Sequence, residues 1–331
     1  MSPIVPKKVI IAKGALESLG DILSDYEHPI VATDQHIFTH YQDQLLNHTT
    51  KDIVWQLARD YHAGKQKNLT GHDIIIGFGG GRSIDVAKLM AKDSGLEWIS
   101  VPTAASHDGI ASNVASIVQN GYRYSKKCKA PSIIVADISI IDKAPTKLKR
   151  AGLGDIVSKS SSLPEWRLAS EEDIEDLDEE IYMMVDEALR LIMENDDTES
   201  LVRAEIECGK AMSMFGSSRP CSGTEHAISH AMDRRNHTLH GLQVAFATPL
   251  SVHFLERTGY TTYNAVRVQQ FLTGNGLPST LEEMDLNMAL LLDDIDHALR
   301  IMKKRGRYSI LEHLNIQNTD IRNALNELGY C

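Results

Sequence analysis

Three stretches from residue 154 onward gather side chains with metal-ligand or acid–base chemistry: Gly154-Asp155, Glu225-His226-Ala-Ile-Ser-His230 and His237-Thr-Leu-His240-Gly241. On a helix, His226 and His230 are four apart and share a face, so their imidazoles can converge on one cavity. The metalloprotease order His-Glu-x-x-His is absent, because the glutamate precedes His226. Two imidazoles and one carboxylate would hold a metal with a coordination position left open, the way catalytic zinc polarises a substrate oxygen. With 14 histidines in the chain such a pair also arises by chance, and the plain alternative is a hydrogen-bonded or solvated histidine.

The first half carries chemistry of another kind. Asp73-Ile-Ile-Ile-Gly-Phe-Gly79-Gly80-Gly81-Arg-Ser83-Ile-Asp85-Val-Ala-Lys88 is an apolar run, three glycines and a helix start. Residues without side chains let the backbone approach an anion, and free N–H groups at a helix start carry partial positive charge toward it. That describes a pyrophosphate seat. The spacing fits neither G-x-G-x-x-G nor the G-K-[ST] loop, so a tight turn without ligand stands beside it. Pro102-Thr103-Ala-Ala-Ser106-His107-Asp108-Gly109 follows a strand pattern and would lie beside the glycines. Thr103 and Ser106 there can hydrogen-bond a cofactor and Asp108 a substrate hydroxyl; the alternative is a polar turn. Gly216-Ser-Ser-Arg-Pro-Cys-Ser-Gly223 reads equally as a phosphoester site or as a capped loop.

Elements must position these groups. From Val9 to about Asp142, short runs (Val9–Ile11, Ile30–Ala32, Ile53–Trp55, Ile74–Ile76, Trp98–Val101 and Ile133–Val135) alternate with helical patterns such as Ala15–Leu23 and Ser83–Lys92. This alternation predicts βαβ units, a mostly parallel sheet and ligand loops at the strands' carboxyl ends. Asn120-Gly121 between Val114–Val118 and Tyr122–Tyr124 predicts a hairpin. After Pro145 helical periodicity dominates, with helices expected at Leu153–Ala169, which puts Asp155 at a helix start, and at Ile181–Asn195, Glu199–Phe215, Thr224–Arg234, Leu242–Arg257, Thr261–Leu272, Asn287–Arg305 and Thr319–Leu328. The expected architecture is an α/β dinucleotide-binding domain over residues 1–150 and an all-α metal- and substrate-binding domain over 151–331.

Composition narrows the class. A formal charge of −11 disfavours nonspecific contact with nucleic acid or anionic membrane. Cys128, Cys208, Cys221 and Cys331 show no paired spacing, so neither a disulfide framework nor a thiolate zinc knuckle is expected. No apolar run has signal-peptide or membrane-spanning length, which points to a cytoplasmic enzyme with no membrane insertion.

Taken together, these stretches resemble the sn-glycerol-1-phosphate dehydrogenases, from the superfamily of iron-containing alcohol dehydrogenases, glycerol dehydrogenase and dehydroquinate synthase. Gly79 to Lys88 matches the superfamily's dinucleotide loop. Val101 to Ser112, Ala151-Gly-Leu-Gly-Asp155 and Gly216 to His230 match the glycerol-1-phosphate branch. The resemblance implies a Rossmann-like sheet with a dehydroquinate-synthase-like helical domain, and reduction of dihydroxyacetone phosphate to sn-glycerol 1-phosphate by NAD or NADP. It also implies one divalent metal on Asp155, His226 and His240, with His230 and Asp108 lining the substrate site. Zinc is the first expectation; nickel and iron suit the same ligands. Cofactor contacts are expected from Asp34, Gly79, Gly80, Gly81, Ser83, Asp85, Thr103 and Ser106. Asp34, after an early strand, favours NAD by repelling a 2′-phosphate. A small phosphorylated polyol as substrate and a homodimer or higher homo-oligomer complete the expectation. The chain departs from the family pattern at Leu242, where glutamate is common after His-Gly, at Asn113, and at Ser160 to Ser162. Lys159 stands where some alcohol dehydrogenases carry a further histidine ligand, and its ammonium is read as a phosphate binder or a solvated charge. The alternatives are a dehydrogenase of another small polyol or aldehyde, a cyclase using NAD transiently, and a non-catalytic binding protein.

Overall fold

The computed structural model describes residues 4–62, 69–119, 122–235 and 238–330. They divide into two compact units. The first comprises Met1–Gln119, Tyr124–Lys149 and Asp197–Met214; the second is built chiefly from Arg150–Asp196 and Phe215–Cys331.

In the first unit, strands β1 (Lys8–Ala12), β2 (Pro29–Thr33), β3 (Val54–Leu57), β4 (Ile74–Gly79), β5 (Trp98–Pro102) and β8 (Ile133–Asp137) form a parallel sheet. Their order is β1-β8-β5-β4-β2-β3. The remaining strands, β6 (Val114–Gln119) and β7 (Tyr122–Lys127), form a separate two-stranded sheet; its Asn120-Gly121 turn lies outside the described residues. Strands β2, β4 and β5 are buried along their whole length. Ile74, Ile76 and Phe78 pack on one face with Leu16, Leu19 and Leu45, while Ile75 packs on the other with Ile84, Met90 and Trp98. Burial on both faces is why these strands read as unbroken apolar runs.

The chain runs from β2 outward to β3, then crosses back over β2 to β4 and continues through β5 and β8. The direction of winding therefore reverses between β2 and β4, which pair through Ala32 and Gly77. A crevice opens at such a reversal, outside the strands' carboxyl ends. Asp34 leaves β2 there, and Gly80 leaves β4.

Two features of this unit differ from the sequence expectation. A helix spans Gln35–Leu46, capped by Asp34, whose Oδ1 accepts from the His36 and Ile37 amides at 2.9 and 3.0 Å. The helix Thr198–Phe215, expected within the second domain, packs in the first unit as far as Met214. Its Gly209 lies so close to the Asp108 loop that a Cβ there would stand 2.6 Å from the Asp108 carbonyl oxygen and 2.8 Å from the Ser112 nitrogen.

The second unit is helical, with a core that includes Ile228, Met232, Phe246, Leu250, Leu291 and Ile295. Helices run over Lys159–Glu171, Glu179–Glu194, Thr224–Met232, His240–Glu256, Ala265–Gly274, Met288–Lys304 and Asn318–Glu327. The expected helix Leu153–Ala169 is two helices, Thr146–Val157 and Lys159–Glu171, so Asp155 sits in a last helical turn and not at a helix start. Pro145 sets the earlier start: its carbonyl takes the Leu148 amide at 2.8 Å. No helix among the described residues is long and apolar enough to cross a membrane.

Candidate functional site

In the second unit, Asp155, His226 and His240 converge so that one ligand atom from each lies within 4.8 Å of the other two. Three helices supply them: Thr146–Val157, Thr224–Met232 and His240–Glu256. The first and last can meet because of glycine. A Cβ on Gly241 would stand 1.9 Å from the Ala151 carbonyl oxygen, and one on Gly154 2.3 Å from the Gly241 carbonyl oxygen. Any side chain at either position would push apart the two backbones that carry Asp155 and His240.

Backbone and side-chain partners fix both imidazoles. Nδ1 of His226 donates to Glu225 Oε1 at 2.7 Å, and its Nε2 faces Asp155 Oδ1 at 3.4 Å. Glu225 is itself held by the Gly223 amide at 2.7 Å and the Ser161 hydroxyl at 2.6 Å. The Ser229 hydroxyl donates to Gln243 Oε1 at 2.9 Å and so accepts from His240 Nδ1 at 2.8 Å. With Nδ1 the donor on both rings, a metal would be taken through Nε2. Partners of this kind fix the tautomer and raise the basicity of metal-ligating histidines, so the donor set fits a divalent metal. We expect Glu225→Gln, which keeps the side-chain length but removes the charge, to weaken metal binding ~10–100-fold. Competition with a chelator checks this, and an unchanged affinity would dissociate Glu225 from the metal.

Electrostatics act in the same sense. Burial opposes ionisation of Asp155, yet the Lys159 ammonium and the adjacent His226 hold its carboxyl well below the usual carboxylate range. Lys159 lies 3.2 Å from Asp155 Oδ1 and 2.7 Å from the Asp155 carbonyl oxygen, fully buried. It is therefore not the solvated charge the sequence allowed. His230 stacks on His240, with ring centroids 5.4 Å apart and planes at 19°. Burial, His226 and Arg305 lower its proton affinity. His237 lies outside the described residues.

The Gly216–Gly223 loop resolves toward structure. Arg219 is buried, and its guanidinium donates to Glu175 and, at 3.1 Å, to the Ser222 carbonyl, with Glu165 3.9 Å away. Burial pushes the Glu165 carboxyl up to about 7 against the pull of Arg219.

In the first unit the glycines form the turn after β4. Gly79 has φ +151°, and a Cβ there would stand 2.5 Å from Ser83 Oγ. Gly80 faces open space, with nothing within 4 Å of an added Cβ, and the helix Gly81–Ser94 starts directly after it. The Thr103 amide donates to the Gly79 carbonyl at 3.1 Å, tying the loop after β5 to the glycine turn. Asp34 Oδ2 accepts from Ser83 Oγ at 3.5 Å. Two of the expected contact residues pack against the protein around the glycine turn. Ser83 is fully buried beneath Gly79, its hydroxyl turned to Asp34. Asp85 takes the Lys88 ammonium at 3.2 Å and the Ser116 amide at 3.1 Å, anchoring the helix to β6. Ser106 and Asp108 are half-buried on the adjoining loop. Glu225, Ser229 and Gln243 hold the two rings in place, a role that ligand type alone does not show. The signal was present: Ser229 follows His226 and Gln243 follows His240 by three residues, one helical turn.

Comparison with known proteins places this geometry. The iron-containing alcohol dehydrogenase family matches residues 10–145. A glycerol-1-phosphate dehydrogenase (NAD(P)+) of Methanosarcina acetivorans is 32% identical over 93% of this chain and 90% of its own. That of Archaeoglobus fulgidus is 32% identical over 93% of each chain. A crystal structure of a probable glycerol dehydrogenase from Sinorhizobium meliloti 1021 superimposes with a TM-score of 0.73 at 20% identity, covering 99% of this chain and 98% of that one. An NADH-dependent butanol dehydrogenase of Thermotoga maritima shares the fold at a TM-score of 0.67 and 15% identity, over 99% of this chain and 98% of its own. The chain belongs to the glycerol-1-phosphate dehydrogenase family, NAD(P)-dependent oxidoreductases related to the iron-containing alcohol dehydrogenases and expected to carry a metal.

Proposed function

We propose that this chain reduces dihydroxyacetone phosphate to sn-glycerol 1-phosphate with NAD(P)H and a divalent metal, zinc before nickel or iron. The observation that carries the reading is the convergence of Asp155, His226 and His240, each imidazole held through Nδ1 by a neighbouring side chain, in a chain of this family. When bound, the nicotinamide supplies a hydride and the metal a positive centre that favours charge on the substrate oxygen. The chain's own residues would do the rest. Asp155, His226 and His240 would fix the place of that positive centre, and His230, stacked on His240, would stand beside the reacting oxygen. Asp108 would accept a hydrogen bond from the substrate hydroxyl, orienting the carbonyl face. Gly80 and the first amides of the helix Gly81–Ser94 would seat the cofactor pyrophosphate.

Substrate comparison tests the reading. Turnover of dihydroxyacetone phosphate should far exceed that of unphosphorylated dihydroxyacetone, and chiral analysis should find the sn-1 product. Equal turnover of glycerol and its phosphate would overturn it in favour of a general polyol dehydrogenase.

For the choice between NAD and NADP, Asp34 favours NAD, since it stands at the winding reversal, where the adenosine ribose of a bound dinucleotide is expected. Because Asp34 also caps a helix, Asp34→Asn is the informative change: it keeps an oxygen for the His36 and Ile37 amides and removes the charge. The NADP:NAD ratio of kcat/KM should rise about tenfold, the scale expected from losing one charge repulsion near a phosphate. An unchanged ratio would remove Asp34 from the specificity argument.

A further inference from the structure

One ring in the first unit stands against the glycine turn with both nitrogens fixed in role. His107 Nδ1 accepts a hydrogen bond from the Gly109 amide at 2.8 Å. An amide can only donate, so Nδ1 holds its lone pair and the neutral ring carries its proton on Nε2. That second nitrogen lies at the first residue of the helix Gly81–Ser94: a Cβ on Gly81 would stand 2.3 Å from Nε2. On its other side the ring occupies the space of a Gly109 side chain, where a Cβ would stand 2.1 Å from Cε1. The ring is half-buried, and Nε2 makes no hydrogen bond to the described residues. Gly81 and Gly109 thus form a slot that admits an imidazole, with Nε2 turned to the place a Gly81 side chain would take, at the first residue of the helix.

We propose that His107 is a cofactor-binding residue whose Nε2–H donates to the dinucleotide pyrophosphate, adding a side-chain donor to the backbone amides of the helix start. The proposal rests on the dinucleotide reading of the glycine turn. It gives that site a side-chain donor beside the backbone amides of the helix start. It also accounts for the glycine at position 81, which the turn itself does not require.

Calorimetry with ADP and adenosine separates the possibilities. His107→Phe keeps a ring in the slot and removes both nitrogens; its ADP affinity should fall about tenfold, a charge-assisted hydrogen bond's worth, while adenosine binding stays within twofold. His107→Asn, with an oxygen to accept from Gly109 and an amide to donate, should recover most of the ADP affinity. Wild-type ADP affinity in a folded His107→Phe would overturn the proposal. Should that variant fail to fold, nitrogen NMR of the wild-type protein decides. The His107 signals should report the Nε2–H form, and Nε2 should shift on adding ADP but not adenosine. An Nδ1–H form, or an unmoved Nε2 signal at saturating ADP, contradicts the assignment. If the wild-type protein binds neither ADP nor NADH, the dinucleotide reading itself fails and this proposal falls with it.

Discussion

Asp155→Asn is expected to lower turnover by at least about a thousandfold, the equivalent of ~4 kcal/mol of transition-state stabilisation. Bound metal should fall to trace levels while the helical circular-dichroism signal is retained. Asp155 is the one carboxylate among the three converging groups, and Lys159 and His226 keep it ionised. The amide matches the carboxylate in shape but is a poor ligand. Lys159 keeps its 2.7 Å bond to the Asp155 carbonyl oxygen whatever the side chain, so the ammonium is not stranded. Asp155→Ala should behave worse in a second respect: it also removes the side-chain oxygen 3.2 Å from the fully buried Lys159 ammonium, which the asparagine amide retains, and opens a cavity there. Elemental mass spectrometry alongside steady-state rates checks both. Near-normal metal content in Asp155→Asn would remove this residue from the ligand set.

Gly80→Asp is expected to weaken NADH binding by about a hundredfold or more without loss of thermal stability, on the scale of ~3 kcal/mol from a charge set close to a phosphate. Gly80 has extended backbone angles, φ −76° and ψ −174°, and open space where a side chain would go, so aspartate fits. What changes is the sign of the field at the helix start. The neighbouring Gly79→Ala should fail by a different route, because its φ of +151° and its contact with Ser83 leave no room for a Cβ. Fluorescence titration of NADH against thermal melting separates the two effects. A stable Gly80→Asp protein with wild-type NADH affinity would show that the glycine turn is only a turn.

The sheet was legible because its central strands β2, β4 and β5 are buried along their whole length and print unbroken apolar runs; all six strands overlap the expected runs, their ends within three residues. The helix Gln35–Leu46 was not, since only Ile37 and Leu45 are buried along it and its polar, histidine-rich surface gives little periodicity. Nor could periodicity tell which unit Thr198–Phe215 joins: Gly209 against Asp108 and Ser213 against Asn113 are contacts about a hundred residues apart. At the site, ligand chemistry and family motifs led to Asp155, His226 and His240. Sequence does not reveal which hydroxyls and carboxylates face inward. Ser83 and Asp85 match a cofactor loop in type, but burial turns both toward the protein. Glu225, directly before His226, holds that ring's Nδ1 from the adjacent position.

The most direct test is chelation followed by re-addition of single metals, with NAD(P)H oxidation by dihydroxyacetone phosphate as the readout. Chelated protein should lose activity while still binding NADH, and zinc, or else nickel or iron, should restore formation of sn-glycerol 1-phosphate. Full activity in metal-free protein, or no activity with any of these metals despite intact NADH binding, would contradict a metal-dependent dehydrogenase built on Asp155, His226 and His240.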